Sequence, residues 1–135
     1  MEREAVMNEP FGEVISSYSR AQAIEDGVLV DVSDMAREAG FKFPVAMTRT
    51  VWGQYVEVPH GVQAQDEAGR LWDVLWMLLI AIKTGKGGSV IEFSLLVRNH
   101  NHKLHHIKDR VSIKAICCRG DDTEPVITIM LPNED

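Results

Sequence analysis

The chain has 135 residues, of which 45% are apolar, 25% charged and 7% aromatic, and its formal net charge is −6. These fractions are those of an ordinary globular domain and exclude a collagen-like repeat, a disulfide-stapled miniprotein and a wholly disordered acidic tail. Without an internal repeat or low-complexity linker, a chain of this length predicts one domain around one core, with residues 1–10 as a flexible N-terminal segment.

Taken in order, residues 1–7 mix Glu2, Arg3 and Glu4 with single apolar residues, which is not a signal-peptide pattern. Ser19 with Gln22 three positions on reads as a capping box that opens a short helix, and Gly27 closes it. A β-branched run over 28–32 predicts a strand. Ser33 is expected to cap a second helix over 34–39, stopped by Gly40. Pro44 suits a first helical position, and Met47, Val51, Trp52 and Tyr55 follow at helical spacing, so residues 44–55 read as an amphipathic helix.

The strongest element is the helix predicted over 66–83, with Asp66 or Gln65 at its start, Glu67 near the positive end of its dipole, Lys83 near the negative end and Gly85 as terminator. Leu71, Val74, Leu75, Leu78 and Ile82 form one stripe, and Trp72, Trp76, Leu79 and Ile80 widen it almost all round. That pattern predicts a buried central helix with Trp76 in the core. Its apolar run over 74–82 is nine residues, against the roughly 18 that span a bilayer, so a soluble, cytoplasmic protein is expected.

Beyond the glycines at 85–88 the period becomes two. Ile91, Phe93, Leu95 and Val97 alternate with Glu92, Ser94, Leu96 and Arg98. Val111, Ile113, Ala115 and Cys117 alternate with Ser112, Lys114, Ile116 and Cys118, and Ile127, Ile129 and Leu131 end the chain. The predicted fold is α+β: N-terminal helices and one long buried helix packed on a C-terminal antiparallel β-meander of three to four strands.

Few residues invite chemistry. His100, His102, His105 and His106 crowd the tip between two predicted strands, where polar residues accumulate without function; no thiolate stands near, and no metal is expected. Gly85-Lys86-Gly87-Gly88 follows a helix, whereas a phosphate loop precedes one, so it is not a nucleotide site. Asp121, Asp122 and Glu124 lack Ca²⁺-loop spacing and read as turn chemistry. Asp73 reads as the surface partner of Arg70 on one helix face. Adjacent Cys117 and Cys118 have no spaced partner; Cys117 is expected in the core, and neither is expected to be redox-active. No catalytic residues and no cofactor are predicted.

Charge is segregated along the chain: −6 over 1–40, zero over 41–85, +5 over 86–119 and −5 over 120–135. Arg98, Lys103, Lys108 and Arg110 form a basic hairpin, the predicted partner-binding residues. No aromatic residue lies between Arg98 and Arg119, so base stacking on single strands is not offered.

Several stretches together resemble a known family. They are 20–33 (Arg-Ala-Gln-Ala-Ile-Glu-Asp-Gly-Val-Leu-Val-Asp-Val-Ser), 36–40, 43–46 (Phe-Pro-Val-Ala), 70–77 (Arg-Leu-Trp-Asp-Val-Leu-Trp-Met), Gly120-Asp-Asp and 124–132. The resemblance is to small uncharacterised proteins carried by bacterial plasmids, integrated elements and phages. It spans about 10–135, is weakest over 86–108, and departs at Cys118–Arg119, where that family has Gly-Pro. It implies a bacterial host and a mobile element, and it assigns no activity or site residue. The expectation is a non-catalytic binding protein acting on a host or element protein, such as an inhibitor of a host defence system. Two alternatives stand beside it: a nucleic-acid-binding accessory using hairpin 98–110, and an enzyme whose site only the fold assembles. No membrane partner is expected, and a homodimer is left open.

Overall fold

The computed structural model describes residues 18–62, 65–85, 87–99 and 109–134. His100, His102, Lys103, His105, His106 and Lys108 lie outside the described residues, as does the N-terminal segment 1–10. The class is α+β, but the sheet is larger than a meander. Ser19 caps the first helix, α1 (Arg20–Glu25), by accepting from the Gln22 amide at 3.0 Å, and Gly27 follows with φ +80°. Gln22 does not complete a capping box; its side chain donates to Asp26 Oδ1 at 2.9 Å.

A short strand, β1 (Leu29–Asp31), leads into α2 (Ser33–Ala39), which Gly40 ends in the left-handed region at φ +116°. Ser33 is not the cap of α2. It is the first residue of that helix, and its hydroxyl donates to Asp31 Oδ1 at 2.6 Å while accepting from the Val45 amide at 3.0 Å. The hydroxyl therefore ties α2 to the next strand.

That strand corrects the helix expected over 44–55. Residues Val45–Thr48 form β2, and only then does a helical turn, α3 (Arg49–Val51), widen into a π-helical segment, Trp52–Val56. The reason is position: β2 lies inside the sheet, antiparallel to β1 and parallel to β5 (Pro125–Met130), and Val45, Ala46 and Met47 are fully buried. A strand buried on both faces is apolar at every position and loses the alternation that identifies strands in sequence. The helical spacing of Val51, Trp52 and Tyr55 is real, but it belongs to the segment after β2.

The long helix is α4 (Glu67–Thr84), with the Asp66 side chain accepting from the Gly69 amide at 2.6 Å and Lys83 in the last turn. Gly85 follows in extended conformation rather than left-handed. After it come β3 (Val90–Val97) and β4 (Asp109–Arg119), so the sheet order is β1-β2-β5-β4-β3. The antiparallel meander is β3, β4 and β5, in registers Phe93↔Ile113 and Ala115↔Ile129. β2 and β1 extend it into a mixed sheet of five strands.

α4 covers one face of this sheet, packing on β3, α2 and the π-helical segment. Beneath it, Leu71, Val74, Leu75 and Leu78 meet Phe93, Leu95, Val97, Ile113, Met47 and Ile129 in one core. The helix is amphipathic, not buried all round: Trp72, Trp76 and Ile80 are exposed at 37%, 44% and 38%. The expectation that Trp76 lies in the core is therefore wrong. A helix lying on a single sheet has one covered face, however apolar the other. Cys117 is likewise exposed rather than in the core. β4 is eleven residues long, and its terminal residues, Asp109 and Arg110 at one end and Cys117, Cys118 and Arg119 at the other, are exposed.

Among the described residues, no helix is long and apolar enough to cross a membrane.

Candidate functional site

The acidic turn after β4 joins the sheet to α1. Gly120 N–H donates to Glu124 O at 2.7 Å and the Asp122 amide to Glu124 Oε1 at 3.0 Å, the turn chemistry expected of these residues. Asp121 does something no local pattern shows. Its two carboxylate oxygens accept from the backbone amides of Arg20 and Ala21, at 2.8 and 3.0 Å, 101 and 100 residues away in sequence. The Ala21 and Arg20 amides, with the Arg20 charge behind them, hold Asp121 below the ordinary value of 3.8. The Arg20 guanidinium in turn donates to Thr128 Oγ1 at 2.6 Å and Ile127 O at 2.8 Å, anchoring α1 on β5.

A carboxyl whose folded value is depressed adds stability that is complete above its unfolded value and lost as the pH falls through the folded one. The wild-type melting temperature should accordingly fall as the pH drops below about 4, while Asp121→Asn should start lower and show less of that acid loss. Thermal melts from neutral pH to the acid limit check this; equal acid sensitivity in both proteins would refute it.

On the sheet face opposite α4, α1 and the start of α3 frame an open concavity of about 810 Å³. Leu29, Ile116 and Met130 give it an apolar floor, with Val28, 51% exposed, on its rim. Most of its polar side chains are engaged within the fold. Asp26 accepts from Tyr18 Oη at 3.0 Å and from Gln22. Thr128 accepts from Arg20, and the Thr48 hydroxyl donates to Glu134 Oε1 at 2.8 Å. Glu134 Oε1 also accepts from the Leu131 amide at 2.8 Å. Arg49, Thr50 and Cys118, all three exposed, also line it, beside Ala23 and Gly27. Among the described residues, no group of three His, Cys, Asp or Glu side chains is arranged to hold a metal ion.

Of the residues expected to bind a partner, two can be placed. Arg98 is half-buried just beyond β3, and Arg110 is exposed on β4, opposite Leu96, with its guanidinium donating to Ser94 Oγ at 3.1 Å. Lys103 and Lys108 lie outside the described residues.

Arg70 departs most from its expected place. It is not the surface partner of Asp73 but is 5% exposed, donating from Nε to Val56 O at 3.1 Å, from Nη1 to Arg98 O at 2.7 Å and from Nη2 to Asn99 Oδ1 at 2.6 Å. Burial lowers its pKa below the ordinary guanidinium value. Asn99 passes the connection on by donating to Gln54 O at 2.9 Å. The network is structural: it clamps the π-helical segment and the end of β3 to α4.

The concavity was not found from sequence, although a signal for it existed. Ile116 and Met130 fall at outward positions of their strands, where polar residues are expected on an open face. Apolar residues out of phase with the core mark a second apolar surface.

The chain matches none of the curated proteins and none of the solved structures with which it was compared. One family model does match, over residues 7–135, nearly the whole sequence. The protein thus belongs to a family of unknown function, DUF6573.

Proposed function

We propose that this chain is a non-catalytic, cytoplasmic binding protein of a bacterial mobile element, acting on a host or element protein, such as a component of a defence system. The observation that supports this reading is the concavity on the open sheet face. It offers an apolar floor of Leu29, Ile116 and Met130, while Asp26, Thr48, Thr128 and Glu134 around it are engaged in bonds that hold the fold. Recognition needs shape and apolar area, whereas acid–base or nucleophilic work needs side chains poised towards a substrate. The mobile-element context rests on the sequence resemblance, and the −6 of residues 1–40 and −5 of residues 120–135 weigh against nucleic acid as the target.

The test is affinity capture from host lysate with and without nuclease, then titration of the purified partner. Val28→Asp, at an exposed rim position, should weaken that binding at least tenfold with the fold intact. A partner that binds the Val28→Asp protein equally well would move the site elsewhere. Titration of a labelled duplex at two salt concentrations should give no binding tighter than the non-specific range of about 10⁻⁴–10⁻⁶ M. Nanomolar duplex binding would overturn the protein-partner reading.

A further inference from the structure

The two edges of the sheet differ sharply. β1 has three residues, whereas β3 has eight, Val-Ile-Glu-Phe-Ser-Leu-Leu-Val, with a single charge and no proline. Long apolar edges are what natural sheets ordinarily shorten, charge or cover, because their unpaired backbone groups pair with other strands.

The hydrogen-bond phase shows which groups are unpaired. The Cys117 amide donates to Ser89 O at 2.8 Å, in the same register as Val90↔Ile116. Antiparallel bonding alternates, so Ile91, Phe93, Leu95 and Val97 turn their N–H and C=O towards β4. Val90, Glu92, Ser94 and Leu96 therefore turn theirs outwards, and no described residue hydrogen-bonds those groups.

We propose that this edge pairs with the same edge of a second copy, antiparallel about a two-fold axis at Phe93, to form a continuous ten-stranded sheet. This register sets Val90 opposite the partner's Leu96 and Glu92 opposite the partner's Ser94, all four with outward-turned groups on both chains. Four such pairs exchange about eight hydrogen bonds. The side chains agree with the backbone. Val90 and Leu96 are 53% and 51% exposed on one face, and pairing covers each with the other. Glu92 meets Ser94, against which Arg110 already rests, so carboxylate and guanidinium approach across the axis and no like charges are opposed.

On the α4 side, a cavity of about 320 Å³ lies along this edge between Asp73, Trp76 and Met77 and the strand residues Ser94–Leu96. The two-fold brings the two α4 helices side by side over that cavity, which gives the exposed Trp76 and Ile80 an apolar neighbour. The interface lies at the opposite end of the sheet from β1 and leaves the open concavity uncovered, so the dimer stands or falls independently of the partner reading.

Sedimentation equilibrium of the full chain under reducing conditions tests the pairing. The expected mass is twice 15.1 kDa, falling to 15.1 kDa on dilution. Ser94→Pro removes an outward N–H and the hydroxyl on which Arg110 rests, but no backbone bond to β4, and edge strands tolerate proline there, so this variant should keep its far-UV spectrum and be monomeric. The register has its own test. Val90→Lys with Leu96→Lys, and Val90→Glu with Leu96→Glu, should each be monomeric alone and should form a heterodimer when mixed. A wild-type mass of 15.1 kDa at tens of micromolar overturns the proposal. So does a Ser94→Pro protein that stays dimeric, or lysine and glutamate variants that ignore one another.

Discussion

Leu78→Ala is expected to cost about 3 kcal/mol of folding stability, within the 2–5 kcal/mol usual for emptying a buried leucine site. Leu78 is fully buried beneath α4, in a core that also holds Val74, Leu75, Ile113 and Ile129. Removing the side chain from a packed core leaves a cavity, whose term adds to the lost transfer energy. Trp76, two residues earlier and larger, should behave in the opposite way. It is 44% exposed and stacks on Trp72 with ring centroids 6.0 Å apart and planes 12° from parallel. Truncating it removes an aromatic contact of about 1 kcal/mol and opens no cavity. Chemical denaturation of both variants in the Ser94→Pro background measures folding without the contribution of a dimer. A Trp76→Ala loss above about 2 kcal/mol there would place the indole in the core after all.

Arg70→Met should cost about 3 kcal/mol, an effect as large as a core deletion although the residue is charged. Methionine retains most of the buried volume but donates nothing. Three acceptors from two chain segments, Val56 O, Arg98 O and Asn99 Oδ1, then lose their donor together. Each acceptor left dry costs about 1–3 kcal/mol, offset in part by sparing the desolvation of the guanidinium. Arg70→Lys should recover only a fraction of the loss, because an ammonium cannot reach three acceptors spread across a planar fork. Urea denaturation gives both values. An Arg70→Met protein as stable as wild type would mean that water takes over the orphaned carbonyls.

Where periodicity and capping act over a few residues, the sequence by itself determined the outcome. The Ser19 cap, the Gly27 and Gly40 stops, the Asp66 start of α4 and the inward row Phe93, Leu95 and Val97 all follow from neighbours within about four positions. The meander order β3-β4-β5 was legible for the same reason, since hairpin partners are adjacent in sequence.

What the tertiary structure alone decided is whatever depends on a distant partner. Val45–Thr48 became a strand because β1 and β5 flank it, and burial on both faces erased the alternation that would have marked it. Asp121 became the N-terminal partner of α1, and Arg70 a buried clamp, through contacts 100 and up to 29 residues away. A local pattern showed one as a turn residue and the other as a surface ion. The same holds for both candidate surfaces. Ile116 and Met130 line a concavity, and Val90 and Leu96 an open edge, only because the sheet ends at β3 and α4 covers a single face. Side-chain chemistry is written in the sequence, but which face of a strand meets solvent is set by the layers that pack against it.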